Sequence, residues 1–516
     1  MNNTYQNPIV RGMYPDPSMV QVDGTYYLAN STFEYYPGIA ISQSQDLVNW
    51  QKMPGVIRMA SQADLTKAKS NEGIFAVNIR YHQGYFYVIT TNFSEFKTIL
   101  IKGQLSADHQ QIIWENQRVE LDIQGIDPDL YFEAEHVYVQ FTGYIDQKGT
   151  KAIQQVEIDL ATGQILQKPK VLTLGTGGRD VEGPHIIKKN EWYYLLMAEG
   201  GTGVGHMITM QRSHNLWGPY QAPIEINPLF TNRDRAEEPL QNIGHADLFQ
   251  DTQGNWWLTC LGTRPSSVEF SKITNTGRET LLYPVIWHDD WPHIYQGVPT
   301  QTVNLDDFPD HAKVIGTQKL PDFVDNFSTA QLNPEWLTLR ANLAERLELT
   351  KGHLILTGSN RKFEQLGTPS FIGIRQTEPQ EEFEISLDHK TTTLEQGQAG
   401  IVSLINADHY IALMIEYDTS TKMYQFLKVV KIADVEQTTV IATRSTLPQQ
   451  LLIKNYSDCK QFIARWSDQD ISFKIAALHL SNEAIAALNT GDVEGLYAVG
   501  TAVKIGITQV QRKLTK

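Results

Sequence analysis

Cysteine is nearly absent: Cys260 and Cys459 are the two in 516 residues. They stand too far apart in sequence for a disulfide framework or a metal knuckle, so both are expected as buried free thiols, and a reducing compartment suffices. Long apolar runs are missing as well. No stretch approaches the length of a membrane span, and the amino-terminal MNNTYQNPIV lacks the basic-then-apolar order of an export signal. The expectation is a soluble cytoplasmic protein with no membrane partner. Basic residues are in deficit, 43 Lys and Arg against 58 Asp and Glu for a net charge of −15. Such a charge opposes nucleic acid and anionic membrane surfaces but leaves a neutral ligand such as a sugar untouched.

The length allows two or three domains, each with its own core. The stretch MYPDPS places Asp16 between Pro15 and Pro17. Proline fixes its own φ and restricts the residue before it, so this acid sits on a rigid, non-helical elbow. Alone, Asp-Pro signals a turn. The rest of the chain repeats the arrangement. Aromatic-rich strand candidates occur at Tyr26-Tyr27, Phe86-Tyr87, Val137-Tyr138, Trp192-Tyr193 and Trp256-Trp257, most of them after a Gly or Asn turn signal. Eleven residues before the second member of each pair stand Asp16, Ala76, Asp127, Glu182 and Ala246. Anchors spaced 51 to 64 residues apart suit four-stranded blades with generous loops, and five such units closing in a ring predict an all-β, five-bladed β-propeller.

Equivalent positions at the starts of inner strands converge on the axis at one end of the ring. Asp16, Asp127 and Glu182 are therefore expected to face one another. Like charges in a partly desolvated site raise one another's pKa, an arrangement that function explains better than solvation does. Convergent carboxylates suggest glycoside hydrolysis, in which one acid protonates the leaving oxygen and another activates water.

The stretches NPIVRGMYPDPS, GIDPDLYF, VEGPHI, AEGGTGVGH, GHADLF and GRETLLYPV, in that order, closely resemble glycoside hydrolase family 43, in the branch of β-xylosidases and α-L-arabinofuranosidases with a carboxy-terminal β-sandwich. The resemblance implies Asp16 as general base, Glu182 as general acid and Asp127 as the acid that tunes and orients Glu182, in a reaction that inverts the anomeric centre. It implies Arg278 as a hydrogen-bonding fork on sugar hydroxyls, Phe33 and Phe75 as aromatic walls, and Thr202 near the sugar. His245 matches a histidine that lines the central channel and in some relatives ligates calcium or another ion; no cofactor is implied for the chemistry itself. The glycines of AEGGTGVGH do not have the G-x-G-x-x-G spacing of a dinucleotide site. One departure stands out: where relatives often have Trp-Ala-Pro, this chain has Phe75, Ala76 and Val77. In the family a phenylalanine there is typical of a branch richer in arabinofuranosidases.

The resulting division is a propeller over 1–308, a linker over 309–321 and a β-sandwich over 322–516. In the last, GHLILTG, EEFEISLDHK, DHYIALMIEYD and DISFKIAAL alternate apolar and polar residues, as half-buried antiparallel strands do. This domain shows no acid cluster of its own and is assigned no catalysis; in relatives it packs on the propeller and lends a loop to the pocket rim. An independent carbohydrate-binding module is the competing role. The expected activity is exo-acting release of arabinofuranose from arabinoxylo-oligosaccharides, in xylan degradation, by a homo-oligomer. β-Xylosidase or dual activity is the alternative, and a non-catalytic sugar-binding propeller is the reading from another class.

Overall fold

The computed structural model describes residues 3–320, 322–481 and 489–515. Met1, Pro321 and Lys516, which carry limits of the expected domains, lie outside the described residues. Among those described, the only helical segments are short 3-10 turns.

Tight turns make the hairpins. Asp23-Gly24 and Gln83-Gly84 both hold two successive positive φ angles, the geometry whose twist matches the flanking strands and which Gly accepts without strain. They join Ser18–Val22 to Thr25–Asn30 and Ile74–His82 to Tyr85–Asn92, the inner pairs of blades one and two. Blades one, three and five are four-stranded, the latter two starting with Ile126–Glu133 and Gln241–Gln250, whereas blade two has a fifth short strand and blade four, starting with Glu182–Lys189, has three. The five aromatic pairs lie in the second strand of each blade. The amino terminus closes the ring: Thr4–Gln6 pairs with Thr302–Asn304, and the Asn7 side chain donates to the Leu282 carbonyl at 3.0 Å and accepts from its N–H at 2.9 Å. The expected linker packs against blades five and one, with His311 Nε2 2.9 Å from the Trp256 carbonyl oxygen and Lys319 N–H donating to Asn49 at 2.8 Å.

The carboxy-terminal part is two facing sheets of nine and six strands, with a core that includes Phe383, Ile385, Ile401, Ile411, Leu413 and Leu451. Three expectations need correction. His409–Asp418 does not alternate between buried and exposed: its Ile411, Leu413 and Ile415 enter the sandwich core, while Tyr410, Ala412 and Met414 pack with Met13 and Tyr35 of the propeller. The sandwich does hold an acid cluster, since Lys460 pairs with Asp492 at 2.8 Å and Glu494 at 3.2 Å, all buried. An ammonium sits at its centre, so it reads as a paired structural network. Of the two thiols, Cys260 is buried but Cys459 is only half-buried, near the surface end of its strand.

Candidate active site

In four of the five blades the inner strand breaks its ladder near its start, whereas Ser18–Val22 of blade one pairs without a shift. Register shifts fall between Ile74 and Val77, Ile126 and Asp129, Glu182 and His185, and Gly244 and Asp247. Bulges of this kind re-aim side chains. Asp16, Asp127 and His245 have φ of 51°, 54° and 44°, left-handed values that strain any residue with a Cβ and that persist only where surrounding bonds hold them. For Asp16 this differs from the extended region that a following proline favours. Its carboxylate is gripped from two sides: the Ser31 hydroxyl donates to Oδ2, and Arg278 Nη1 donates to Oδ1 at 3.1 Å.

The result is one pocket of about 100 Å³ lined by Asp16, Phe33, Phe75, Asp127, Glu182, Thr202, His245 and Arg278. All eight residues singled out from the sequence meet there, joined by Ala76, Ile126 and Asn489. The Gly183 N–H donates to Asp127 Oδ2 at 3.1 Å, so Asp127 holds the peptide adjoining Glu182. Arg278 Nη1 also donates to Thr202 Oγ1 at 3.0 Å, and its Nη2 to the Asn489 carbonyl at 3.4 Å. Its guanidinium lies 5.6 Å from the Phe33 ring centre. Phe75 meets Phe33 edge-on and stacks flat on Phe93 at 4.5 Å, forming a wall that runs outward from the pocket.

Electrostatics separates the acids. Burial drives Glu182 upward, the charge of Asp127 adds to this, and Lys151, 3.9 Å away, opposes it; the carboxyl ends at about 8. Asp127 is also raised, by burial first, against the pull of His245. Burial would raise Asp16 too, but Arg278, His245 and the Ser31 hydroxyl outweigh it and hold Asp16 below the usual carboxylate range. The pocket thus keeps one carboxylate ionised and another protonated near neutrality, the division of labour that acid–base chemistry requires.

Three neighbours escaped the sequence reading. Lys151, at the start of a strand, pairs with Asp180 at 3.0 Å and approaches Glu182; nothing in its local sequence distinguishes it from a surface lysine. His206 lies within the quoted AEGGTGVGH stretch, but its role shows only in three dimensions. Its Nδ1 meets the Asn242 carbonyl oxygen at 3.0 Å, and burial lowers its pKa to about 3. The neutral ring therefore turns Nε2 toward Glu182 Oε1, 4.0 Å away, and Gly244 leaves the room, since a Cβ there would fall 2.2 Å from the imidazole. Asn489 comes from the other domain, which no local pattern reveals.

His245 Nδ1 stands 3.8 Å from Asp16 Oδ1. Among the described residues no three His, Cys, Asp or Glu side chains are set to share a metal ion. Deeper in the channel, Asp129 and Asp247 could attract a cation, but Arg80 already lies 3.1 Å and 2.9 Å from them. The donor set does not fit a metal.

Comparison with known proteins agrees with this architecture. Residues 5–292 match the model of glycosyl hydrolases family 43, and residues 324–506 match the β-xylosidase C-terminal concanavalin A-like domain. The chain is 31% identical to a non-reducing end α-L-arabinofuranosidase of Bacteroides ovatus over 96% of this chain and 92% of that one. It is 33% identical to a xylosidase/arabinosidase of Butyrivibrio fibrisolvens over 79% of each. A xylan β-1,4-xylosidase from Bacillus halodurans superposes with a TM-score of 0.87 at 26% identity, covering 98% of this chain and 99% of that one.

Proposed function

The chain belongs to family 43 of the glycosyl hydrolases, and from this we propose that it is an exo-acting, inverting pentosidase that releases terminal α-L-arabinofuranose from arabinoxylo-oligosaccharides. The opposed shifts of Asp16 and Glu182 within one pocket carry the reading. Asp16, ionised, takes a proton from the water that attacks the anomeric carbon; Glu182, protonated, gives its proton to the departing oxygen. Asp127 raises Glu182 by its charge and pins the Gly183 peptide beside it. Arg278, aligned by Thr202 and the Asn489 carbonyl, offers donors to vicinal hydroxyls. A binding module would have no use for carboxylates whose pKa values are pushed apart.

Exo action is supported by the second domain, which closes one side of the pocket at Asn489. Arabinose is favoured by Phe75 in place of a larger indole and by the arabinofuranosidase relative that spans nearly the whole chain. β-Xylosidase activity is the second reading, supported by the likeness to the xylan xylosidase structure. A methylene-scale change in an apolar wall shifts selectivity by only about 1–3 kcal/mol, so dual activity is expected. Initial rates on nitrophenyl α-L-arabinofuranoside and nitrophenyl β-D-xylopyranoside test the proposal. Faster turnover of the arabinoside supports it, a reversed order transfers the assignment to xylosidase, and negligible turnover of both overturns it.

A further inference from the structure

Below the pocket floor lies a second polar ring. Two residues beyond Asp16, Ala76, Asp127 and His245, and three beyond Glu182, stand Ser18, Asn78, Asp129, Asp247 and His185, one from each inner strand and all buried. At about 3.3 Å per strand residue the ring sits roughly 7 Å under the acids. Arg80, from blade two, extends its guanidinium into it. Nη1 donates to Asp247 Oδ2 at 2.9 Å and to Ser18 Oγ at 3.3 Å. Nη2 lies 3.1 Å from Asp129 Oδ1, 3.3 Å from Asp247 Oδ1 and 3.2 Å from His185 Nδ1. One planar cation thus ties blade two to the other four through a single junction, and both carboxylates that it meets have fully buried side chains.

Two buried carboxylates at the axis of a propeller would, without compensation, repel each other and demand a cation. A metal ion entering here would have to stand beside the guanidinium and compete with it for the same oxygens. We propose that Arg80 is the resident cation of the propeller axis: its guanidinium takes the place and the charge-neutralising part of a channel metal ion, fixes the inner strands at the spacing that Asp127 and Glu182 need, and frees hydrolysis from any divalent cation. Arg80 acts through the strands and is a positioning residue.

The test has two arms. Purified wild-type protein, dialysed against EDTA, is expected to hold less than about 0.1 metal ion per chain. Its melting midpoint and kcat/KM on nitrophenyl pentosides should be unchanged by EDTA or by millimolar Ca2+, Mg2+ or Mn2+. Removing one partner of a buried ion pair is strongly destabilising, so Arg80→Ala is expected to lower the midpoint by roughly 5–10 °C and kcat/KM by about tenfold or more. Both losses should be partly reversed by millimolar guanidinium or by a divalent ion, which a purely packing role for Arg80 would not allow. Should Arg80→Ala fail to fold, Arg80→Lys, which keeps the charge without the fork, carries this arm, with a smaller loss that guanidinium does not reverse. Stoichiometric bound metal in the wild type, a midpoint that falls on chelation, or an Arg80→Ala protein that folds but answers to no added cation would overturn the proposal. The hydrolase reading supplies only the activity readout; if neither pentoside is turned over, metal content and melting midpoint still decide on Arg80.

Discussion

Glu182 and Asp16 share a pocket yet are driven in opposite directions, by burial and Asp127 in one case and by Arg278 in the other. That difference gives separable phenotypes. Glu182→Ala is expected to lose roughly 10²–10⁴-fold on oligosaccharides but much less on aryl glycosides with acidic phenols, because a good leaving group needs little protonation. Asp16→Ala should lose activity on both alike; equal losses for both variants across a leaving-group series would refute the assignment. Asp127→Asn tests the tuning. The asparagine oxygen can still accept the Gly183 N–H, so the change removes charge while leaving the peptide held. A nearby negative charge favours the protonated form, so neutralising it lowers the pKa of Glu182. The basic limb of kcat/KM, expected near pH 8 in the wild type from the raised carboxyl, should therefore move to lower pH. An unmoved limb in a folded, slower variant would make Asp127 a purely positioning group. The acids, Arg278 and the aromatic walls were legible because each lies in a short stretch with a distinctive neighbour pattern. Lys151 and His206 were not, because what matters about them is which carboxylate they approach.

At the scale of strands, hairpins were readable wherever a turn residue such as Gly24 or Gly84 punctuated an aromatic run, and the fixed offset to the inner-strand acids followed from the blade repeat. The bulges at Asp127 and Glu182 leave no periodic trace, since one irregular residue in a strand does not disturb a hydrophobic count. Alternation also misled at His409–Asp418, where the second face that should meet water meets the propeller instead. Gly183 is the bulge residue whose chemistry is most exposed to test. Its φ is 58°, and a Cβ there would lie 3.2 Å from the His245 ring. Gly183→Ala adds left-handed strain of about 1–2 kcal/mol and presses the peptide after Glu182 away from His245. The expected outcome is a melting midpoint lower by a few degrees with a disproportionate fall in kcat/KM, roughly ten- to a hundredfold, since small displacements of a proton donor are amplified in rate. Thermal melts and kinetics on one preparation check it; a variant that loses stability but keeps full kcat would show that Gly183 serves folding alone.

Across the whole molecule, the sandwich is fastened to the propeller by apolar packing and by backbone. Tyr35–Tyr36 pairs with Thr338–Leu339 as a two-stranded ladder, and Arg375 donates to the Met13 carbonyl at 2.7 Å. Beside the pocket the two domains touch main chain to main chain: the Asp492 N–H donates to the Asn275 carbonyl at 2.8 Å, and Gly277 faces Gly491. A Cβ on Gly491 would fall 2.5 Å from the Thr276 carbonyl oxygen and 2.8 Å from the Gly277 nitrogen. Neither atom can rotate aside, so Gly491→Ala must move the domains apart at this corner. The adjoining Asn489 carbonyl would then withdraw from Arg278, next door to Gly277. If the second domain shapes the pocket by aligning that arginine, KM for nitrophenyl pentosides should rise about tenfold with a smaller change in kcat, the pattern of lost substrate binding. The basic limb should stay in place, because the surroundings of Glu182 are made by the propeller. A lower melting midpoint with KM unchanged would instead restrict the sandwich to holding the propeller together, and the exo-acting reading would then have to rest on the propeller loops alone.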